Sequence, residues 1–229
     1  QPTVILDSTG RAYTLPSHNL PSARGQGEPA TGRINPPSGA TFEGLIMGAD
    51  DDLYLLASDA GYGFVAKLGD LQTKNRAGKS TLSLPKGGRV MQPAAIVEAT
   101  DAWVAAVTNE GRMLMFPLAD LPQMSRGKGN KIIGIPSARV QNREEFMVAV
   151  QVVNPSDVLV IQAGKRHHKL KFADLEHYQG ERGRGGPPCA RGGDKVGRRG
   201  GERCVAGGSR GVPVSGGGGA RRWRCGAGA

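Results

Sequence analysis

The sequence predicts an all-β fold of the propeller type, built from a four-stranded unit of about 50 residues that occurs four times. Two observations lead to this prediction. Turn glycines and leucine-ending pairs recur at nearly constant spacing, and short strand-like segments alternate with turns along the chain. A period near 50 residues in a strand-rich chain is typical of propeller blades or of a solenoid, and little helix is expected.

Each copy of the unit opens at a turn glycine, runs through an apolar strand and reaches an Asp-Leu or Asn-Leu pair. The glycines are Gly10, Gly61, Gly111 and Gly164, and the pairs are Asn19-Leu20, Asp70-Leu71, Asp120-Leu121 and Asp174-Leu175. We expect repeats at about residues 1–35, 36–85, 86–136 and 137–186. Because no strand precedes Thr3, we expect about three and a half to four blades, an incomplete ring and a piece of a longer polypeptide.

The individual strands follow from β-branched and apolar residues that are bounded by glycine-bearing turns. In the first repeat, residues 3–6 and 11–15 are predicted to form a hairpin, and residues 31–34 a short closing strand. In the later repeats the predicted strands are 41–47, 53–58, 62–68, 80–84, 94–97, 103–108, 112–118, 132–135, 146–153, 158–162 and 165–172.

The last segment, residues 187–229, is rich in glycine and arginine and is predicted to be a disordered tail, because it has few large apolar side chains to bury. Its composition also resembles GC-rich DNA translated in a shifted frame. The cysteines Cys189, Cys204 and Cys225 lie there without disulfide or zinc spacing.

The tail also explains most of the net charge of +10. Residues 1–183 hold 20 Lys+Arg against 18 Asp+Glu, a balance of +2. Charge alone therefore does not indicate nucleic-acid binding.

Each repeat carries a loop in which an arginine is followed by a glycine one or two residues later. The loops are Arg24-Gly25, Arg76-Ala77-Gly78, Arg126-Gly127 and Arg182-Gly183. Glycine lets a backbone turn tightly and approach a ligand, and arginine or lysine at a loop tip can contact a phosphate oxygen. One such loop is usually an ordinary solvated turn. Four loops in register favour a rim that contacts the backbone of a DNA duplex.

A second basic cluster, residues 165–171, places several lysines on one face of a predicted strand. An exposed edge strand protected by lysines gives the same pattern, so both interpretations stay open. The predicted DNA-binding residues are Arg24, Arg76, Lys79, Arg126, Lys128, Lys131, Lys165, Arg166, Lys169 and Arg182.

Catalytic and metal-binding patterns are not found in the sequence. It has no nucleophile elbow, no glycine-rich phosphate loop after a strand and no paired carboxylates that can be assigned to one pocket. The acidic run 50–52 is interpreted as a hairpin turn. His167 and His168 are adjacent on a strand and point to opposite faces, so a shared metal is not expected. We therefore predict no catalytic residues, metal or cofactor in this domain, and no membrane span.

Several motifs closely resemble the C-terminal domains of the bacterial gyrase A and topoisomerase IV A family, and topoisomerase IV in particular. These motifs are Asp-Ala-Gly-Tyr-Gly-Phe at 59–64, Asn-Arg-Ala-Gly-Lys at 75–79, Gly-Arg-Met-Leu-Met-Phe at 111–116, Gly-Lys-Gly-Asn-Lys at 127–131 and Leu-Pro-Ser-Ala-Arg-Gly-Gln-Gly-Glu-Pro at 20–29. The resemblance covers about residues 1–186. It implies a β-pinwheel, a propeller-like ring whose blades exchange strands and whose rim binds and bends double-stranded DNA.

The resemblance also implies a larger bacterial enzyme, cytoplasmic and associated with the nucleoid. In that enzyme the A and B subunits of topoisomerase IV form a heterotetramer that uses ATP and Mg²⁺, and the cleavage tyrosine lies outside this domain. An intact Gln-Arg-Arg-Gly-Gly-Lys-Gly box, which gyrase A uses to wrap DNA, is missing, and residues 125–131 are the nearest match. Two alternatives remain: a gyrase A domain, and a propeller that serves as a protein-interaction platform. A DNA-binding domain loses affinity steeply with salt, whereas such a platform does not.

Overall fold

The computed structural model describes residues 2–16, 29–163, 166–189 and 221–225. These residues contain fourteen strands and several short helices. The strands are β1 (Pro2–Asp7), β2 (Arg11–Pro16), β3 (Phe42–Met47), β4 (Leu53–Ser58), β5 (Tyr62–Lys67), β6 (Lys79–Ser80), β7 (Ala94–Ile96), β8 (Trp103–Thr108), β9 (Met113–Pro117), β10 (Asn130–Lys131), β11 (Met147–Val153), β12 (Val158–Ala163), β13 (Arg166–Lys171) and β14 (Arg221–Cys225). The α-helices are α1 (Leu68–Leu71) and α2 (Ser137–Gln141), and 3-10 helices span Ala30–Gly32, Leu118–Asp120 and Phe172–Tyr178.

The chain forms two compact units. The first comprises residues 1–97 and 121–130, and the second comprises residues 98–120 and 131–229. The extent of the predicted domain, residues 1–186, and its repeat boundaries stay predictions.

Strand exchange between repeats organises the sheets. The first sheet has the order β3-β1-β2-β6, so a hairpin of the first repeat pairs with two strands that come later in the chain. The second sheet, β10-β5-β4-β7, repeats this arrangement. A third sheet has the order β11-β8-β9, with an isolated bridge between Arg112 and Pro188 beside β9. All these strand pairs that involve β1, β4 or β8 are antiparallel.

The hairpins form where alternation and turn glycines predicted them. In the first hairpin Val4 lies opposite Thr14, and Gly10 has the positive φ, 83°, that the turn requires. The corresponding turn glycines Gly61 and Gly111 have φ values of 85° and 76°. The predicted hairpin strands of the first three repeats are confirmed to within two residues.

The leucine-ending pairs have a structural explanation. After the second strand of a hairpin, the chain forms a short helix, seen at α1 and in the 3-10 helices that start at Leu118 and Phe172. The leucine of each described pair, Leu71, Leu121 and Leu175, is buried with 0%, 6% and 0% of its surface exposed. The repeating pair therefore marks where each hairpin is anchored to a core. Asn19-Leu20 lies outside the described residues.

Three predictions about strands are wrong. The segment predicted as a strand at 31–34 begins within the 3-10 helix Ala30–Gly32, whose turn is closed by hydrogen bonds from Arg33 and Ile34 to the Ala30 carbonyl. The strand predicted at 80–84 is reduced to the two-residue strand β6, and the strand predicted at 132–135 is replaced by the two-residue strand β10 directly before it, because each pairs only briefly at a sheet edge.

The tail differs from the prediction where it is described. Arg221–Cys225 forms β14, which pairs in parallel with β12 and gives the order β13-β12-β14. A tryptophan within this strand favours extended backbone. The other tail residues from 190 onward lie outside the described part of the chain.

Each unit has its own apolar core. In the first unit a cluster that includes Leu6, Ile46, Leu56 and Phe64 is almost completely buried, and in the second unit a cluster forms around Met113, Met115, Val153 and Leu159. Burial of one such side chain contributes about 1.5–3 kcal/mol, so these clusters hold the hairpins rigidly. The exposed large apolar side chains of the described residues are Phe42, Leu45, Met47 and Val97, on β3 or directly after β7.

Candidate nucleic-acid interface

Three hairpin turns share one hydrogen-bonding arrangement, which we call the turn staple, at the residue two positions before the turn glycine. The backbone N–H of this residue donates to a carbonyl in the segment that leads to the exchanged strand. Its side-chain oxygen accepts the N–H of that same partner residue. The pairs are Ser8 with Thr41 (2.7 and 3.0 Å), Asp59 with Arg89 (2.9 and 2.7 Å) and Asn109 with Phe146 (3.0 and 2.9 Å). The turn staple fixes the backbone on both sides of each turn.

A second shared position is a glycine in the loop that leads to the outer strand. Gly78, Gly129 and Gly186 all have positive φ, of 74°, 77° and 69°. A Cβ on Gly78 would lie 2.6 Å from Cε1 of Tyr13, and a Cβ on Gly129 or Gly186 would overlap the carbonyl of Gly63 or Met113. Close packing therefore explains these glycines without any ligand.

The structural register corrects the expectation that the Arg-Gly loops are equivalent. Counted from the shared glycine, Arg76 lies two residues before Gly78, Arg126 three residues before Gly129, and Arg182 four residues before Gly186. The arginines therefore occupy different positions in the three described loops, and each has to be considered separately.

Three of the predicted cations are engaged by backbone carbonyls. The Arg76 guanidinium donates to the carbonyls of Gly32 and Arg33, at 2.9 and 3.0 Å. Lys79 Nζ donates to the Asp70 carbonyl at 2.7 Å, and Arg182 Nη1 donates to the Lys131 carbonyl at 2.8 Å. Arginine and lysine have several donors each, so these contacts leave others available. Part of the role of these side chains is to hold the loops.

Arg126 and Lys128 present their charges to solvent. Both side chains are exposed, and neither forms an ion pair with a residue that the structure describes. Lys128 Nζ lies 4.6 Å from the centroid of the Tyr62 ring, in cation-π geometry. Lys131 is exposed as well. Of the ten predicted residues, Arg126 and Lys128 best match an accessible cationic loop tip.

The remaining predicted residues are described only in part. Arg24 and Lys165 lie outside the described residues. Arg166 and Lys169 lie on β13, where they pair with Ala163 and Val160 of β12. The strand predicted at 165–172 is thus confirmed for residues 166–171, and Phe172 instead begins a 3-10 helix.

Sequence reasoning missed two cations in the turn of residues 85–89. Lys86 and Arg89 are exposed, and neither side chain forms an ion pair with a described residue. The Gly88 N–H donates to the Pro85 carbonyl at 2.9 Å, and Gly87 has a φ of 78°. The signal in the sequence was Lys-Gly-Gly-Arg, which does not match the repeating Arg-Gly loops.

The carboxylates near the turns serve the fold. Asp7 is fully buried and accepts hydrogen bonds from Thr9, from the Arg11 N–H and from the Tyr13 hydroxyl, the last at 2.7 Å. Burial, and then the hydrogen bond to Asp7, raises the pKa of Tyr13 to about 12. In the 50–52 run, Asp50 accepts a hydrogen bond from the Gln72 amide and Asp51 accepts one from Lys67. Asp52 accepts one from the Ala49 N–H.

The described residues contain neither a metal-binding cluster nor a membrane-spanning helix. Among them, no group of three or more His, Cys, Asp or Glu side chains is arranged to hold a metal ion. Within the same part of the chain, no helix has the length and apolar character that crossing a membrane requires.

Comparison with known proteins identifies the family to which the chain belongs. A family model described as the DNA gyrase C-terminal domain, a β-propeller, matches residues 52–96 and 102–154. The A subunit of DNA topoisomerase 4 from Pseudomonas aeruginosa is 56% identical over 196 residues, which is 86% of this chain and 26% of that protein. The same subunit from Escherichia coli K12 is 51% identical over 186 residues, 81% of this chain and 25% of that protein. The chain thus spans about a quarter of the length of these relatives.

A solved structure of the E. coli ParC C-terminal domain matches with a TM-score of 0.78 and 48% identity, covering 86% of this chain and 80% of that one. This match confirms the predicted all-β, propeller-like pinwheel fold. The chain belongs to the family of gyrase A and topoisomerase IV A C-terminal domains, and its similar relatives are A subunits of topoisomerase IV.

Proposed function

We propose that this chain is the DNA-binding and DNA-bending domain of the A subunit of a topoisomerase IV. The observation that carries the proposal is the pair Arg126 and Lys128, which are exposed at the tip of a rigid loop without a described carboxylate partner. Arginine and lysine side chains in this setting suit phosphate oxygens, and contacts to phosphate supply most of the sequence-independent affinity for DNA.

Bending, rather than base reading, fits the kind of residue at the loop tips. Phosphate contacts orient a duplex and carry no direct sequence information, whereas repeated contacts along a protein surface favour a deformed duplex. Residues 1–183 have a charge balance of only +2. Affinity for DNA therefore depends on where a few cations lie and not on overall attraction by this region.

The parent protein, on this proposal, is an ATP-dependent type IIA DNA topoisomerase that decatenates DNA and relaxes supercoils in the bacterial nucleoid. Its A and B subunits form a heterotetramer, and the residues for DNA cleavage, ATP and Mg²⁺ lie in other domains. This domain contributes by holding a DNA segment, which helps the enzyme to select its substrate topology.

A protein-interaction platform is the second candidate. It is favoured by the exposed apolar side chains of Phe42, Leu45 and Met47, of which 43%, 58% and 45% of the surface is accessible on the edge strand β3. Exposed apolar surface on an edge strand suits binding to another polypeptide. Binding of this kind would depend only weakly on salt.

The test is duplex binding by the full chain as a function of salt. Arg126→Ala/Lys128→Ala should weaken binding to different duplex sequences to a similar extent. The negative slope of log K against log salt should become shallower by up to about 1.8, because each lost phosphate contact accounts for about 0.9. The basic tail is present in every variant, so differences between variants isolate the loop.

Lys67→Glu is the matched control, because it also changes the net charge by two units. Lys67 ends β5, which Tyr62 begins, and it forms an exposed ion pair with Asp51 at 3.2 Å. If the double variant has the affinity and slope of Lys67→Glu, the loop does not contact DNA. The interaction platform then becomes the better account. Circular dichroism of each variant establishes that the fold is retained.

A further inference from the structure

The hairpin turn of residues 59–62 in the first unit is flanked by cations on both sides. On one side, the turn staple joins Asp59 to Arg89, and a Cβ placed on Gly88 would lie 3.2 Å from Cβ of Ala60. On the other side, Lys128 lies over the ring of Tyr62. The turn of residues 85–89 and the loop of residues 126–129 thus pack against opposite sides of the same hairpin end.

Both flanking segments are held rigidly by their backbones. The Gly127 N–H donates to the Thr81 carbonyl at 2.8 Å, and the Gly127 carbonyl accepts from Ser83 at 2.9 Å. Val90 forms a bridge with Ser58 directly after Arg89. Because the anchoring groups are backbone groups and the Asp59 carboxylate, the Lys86 and Arg89 side chains are not needed for this packing. Their charges are held in place and face solvent.

The two cationic segments are connected through the chain that precedes the turn. Leu82 forms a bridge with Gly127, and Ser83, three residues before Lys86, donates its N–H to the Gly127 carbonyl. The turn of residues 85–89 therefore follows directly from a segment that is bonded to the loop of residues 126–129.

We propose that the turn of residues 85–89 is a second DNA-phosphate site, at which Lys86 and Arg89 contact phosphates of the same duplex that Arg126 and Lys128 contact. This inference rests on the proposed function and adds two residues that lie outside the Arg-Gly loops.

The test uses the full chain and a salt titration of duplex binding with three variants. Lys86→Ala/Arg89→Ala should reduce affinity by at least several-fold at low salt and should lower the salt slope by up to about 1.8. Arg126→Ala/Lys128→Ala should do the same. The fourfold variant should lower the slope by the sum of the two effects, because separate phosphates are contacted.

Two controls separate the possible outcomes. Lys86→Arg/Arg89→Lys keeps both charges and should keep the slope, and Lys67→Glu reports the effect of net charge alone. If Lys86→Ala/Arg89→Ala behaves like Lys67→Glu while Arg126→Ala/Lys128→Ala still loses slope, this inference is overturned and the proposed function stands. If neither pair affects the slope, the proposed function fails together with it. A normal thermal melt of each variant excludes unfolding as the cause.

Discussion

The hairpin turns of residues 59–62 and 109–112 have the same backbone arrangement and use charge in opposite ways. Both have the turn staple, through Asp59 or Asn109, and both have a glycine of positive φ. The residue after that glycine differs. In the first unit it is Tyr62, with Lys128 above its ring, and in the second it is Arg112.

Arg112 points into an ion-pair network. Its Nε donates to Glu145 Oε1 at 2.7 Å, and its other nitrogens donate to the carbonyls of Gly134, at 2.9 Å, and of Gly185. Arg139 Nη1 contacts the other oxygen of Glu145 at 2.7 Å. Glu145 is fully buried. In the second unit, cations therefore hold loops together, whereas in the first unit cations around the equivalent turn remain accessible to an anion.

The largest expected effect comes from removing the centre of that network. Glu145→Gln keeps the size of the side chain and leaves both arginines without a counter-charge. We expect a loss of about 2–4 kcal/mol in the free energy of unfolding, somewhat below the range for a fully buried pair because both arginines are partly exposed. Chemical denaturation measures it.

Asp51→Ala is the control, since it removes an ion pair whose side chains are exposed by 91% and 43% and should cost less than about 1 kcal/mol. Equal losses in the two variants would show that the Glu145 network does not anchor the second unit.

A smaller, pH-dependent effect is expected at the first turn, where the buried carboxylate of Asp7 has a neutral partner, Tyr13. Tyr13→Phe removes one buried hydrogen bond and should cost about 1 kcal/mol at neutral pH. The pKa of Tyr13 is about 12 in the folded chain, above its ordinary value of 10. The stabilisation is therefore complete below pH 10 and is lost as pH rises from 10 toward 12.

Denaturation of the wild-type chain and of Tyr13→Phe at pH 8 and pH 11 measures this difference, since the other titrating groups are common to both. The advantage of the wild type should shrink at pH 11. An advantage that stays constant would mean that the Tyr13 hydroxyl does not titrate in this way.

Local patterns predicted the hairpins, because alternation and a turn glycine within one short stretch of chain are sufficient to define them. The outer strands β3, β7 and β11 were also predicted, whereas β6 and β10 were misplaced because their partners are distant in sequence: Ala12 pairs with Lys79, for example. The strand prediction for residues 31–34 was also wrong, since no sequence pattern there indicates the 3-10 turn that forms.

The candidate site was predictable to a similar degree. The exposed cations Arg126 and Lys128 followed from an acid-free basic loop. The carbonyls that engage Arg76 and Arg182 belong to the preceding predicted repeat in each case, so no local sequence pattern reports them. Lys86 and Arg89 were missed because their proximity to the 59–62 turn arises from the turn staple and from the bridge between Ser58 and Val90, which join residues about 30 positions apart in the sequence.

The most direct measurement is the rate at which each lysine of the full chain is reductively methylated, with and without a DNA duplex. Mass spectrometry quantifies the methylation of each lysine. A group that contacts phosphate is shielded from the reagent, whereas a lysine elsewhere keeps its reactivity. We predict that duplex binding slows methylation of Lys86 and Lys128 at least several-fold and leaves Lys67 unchanged. If Lys86 and Lys128 react as fast with the duplex as without it, or if Lys67 is protected equally, the first unit does not hold DNA around the 59–62 turn.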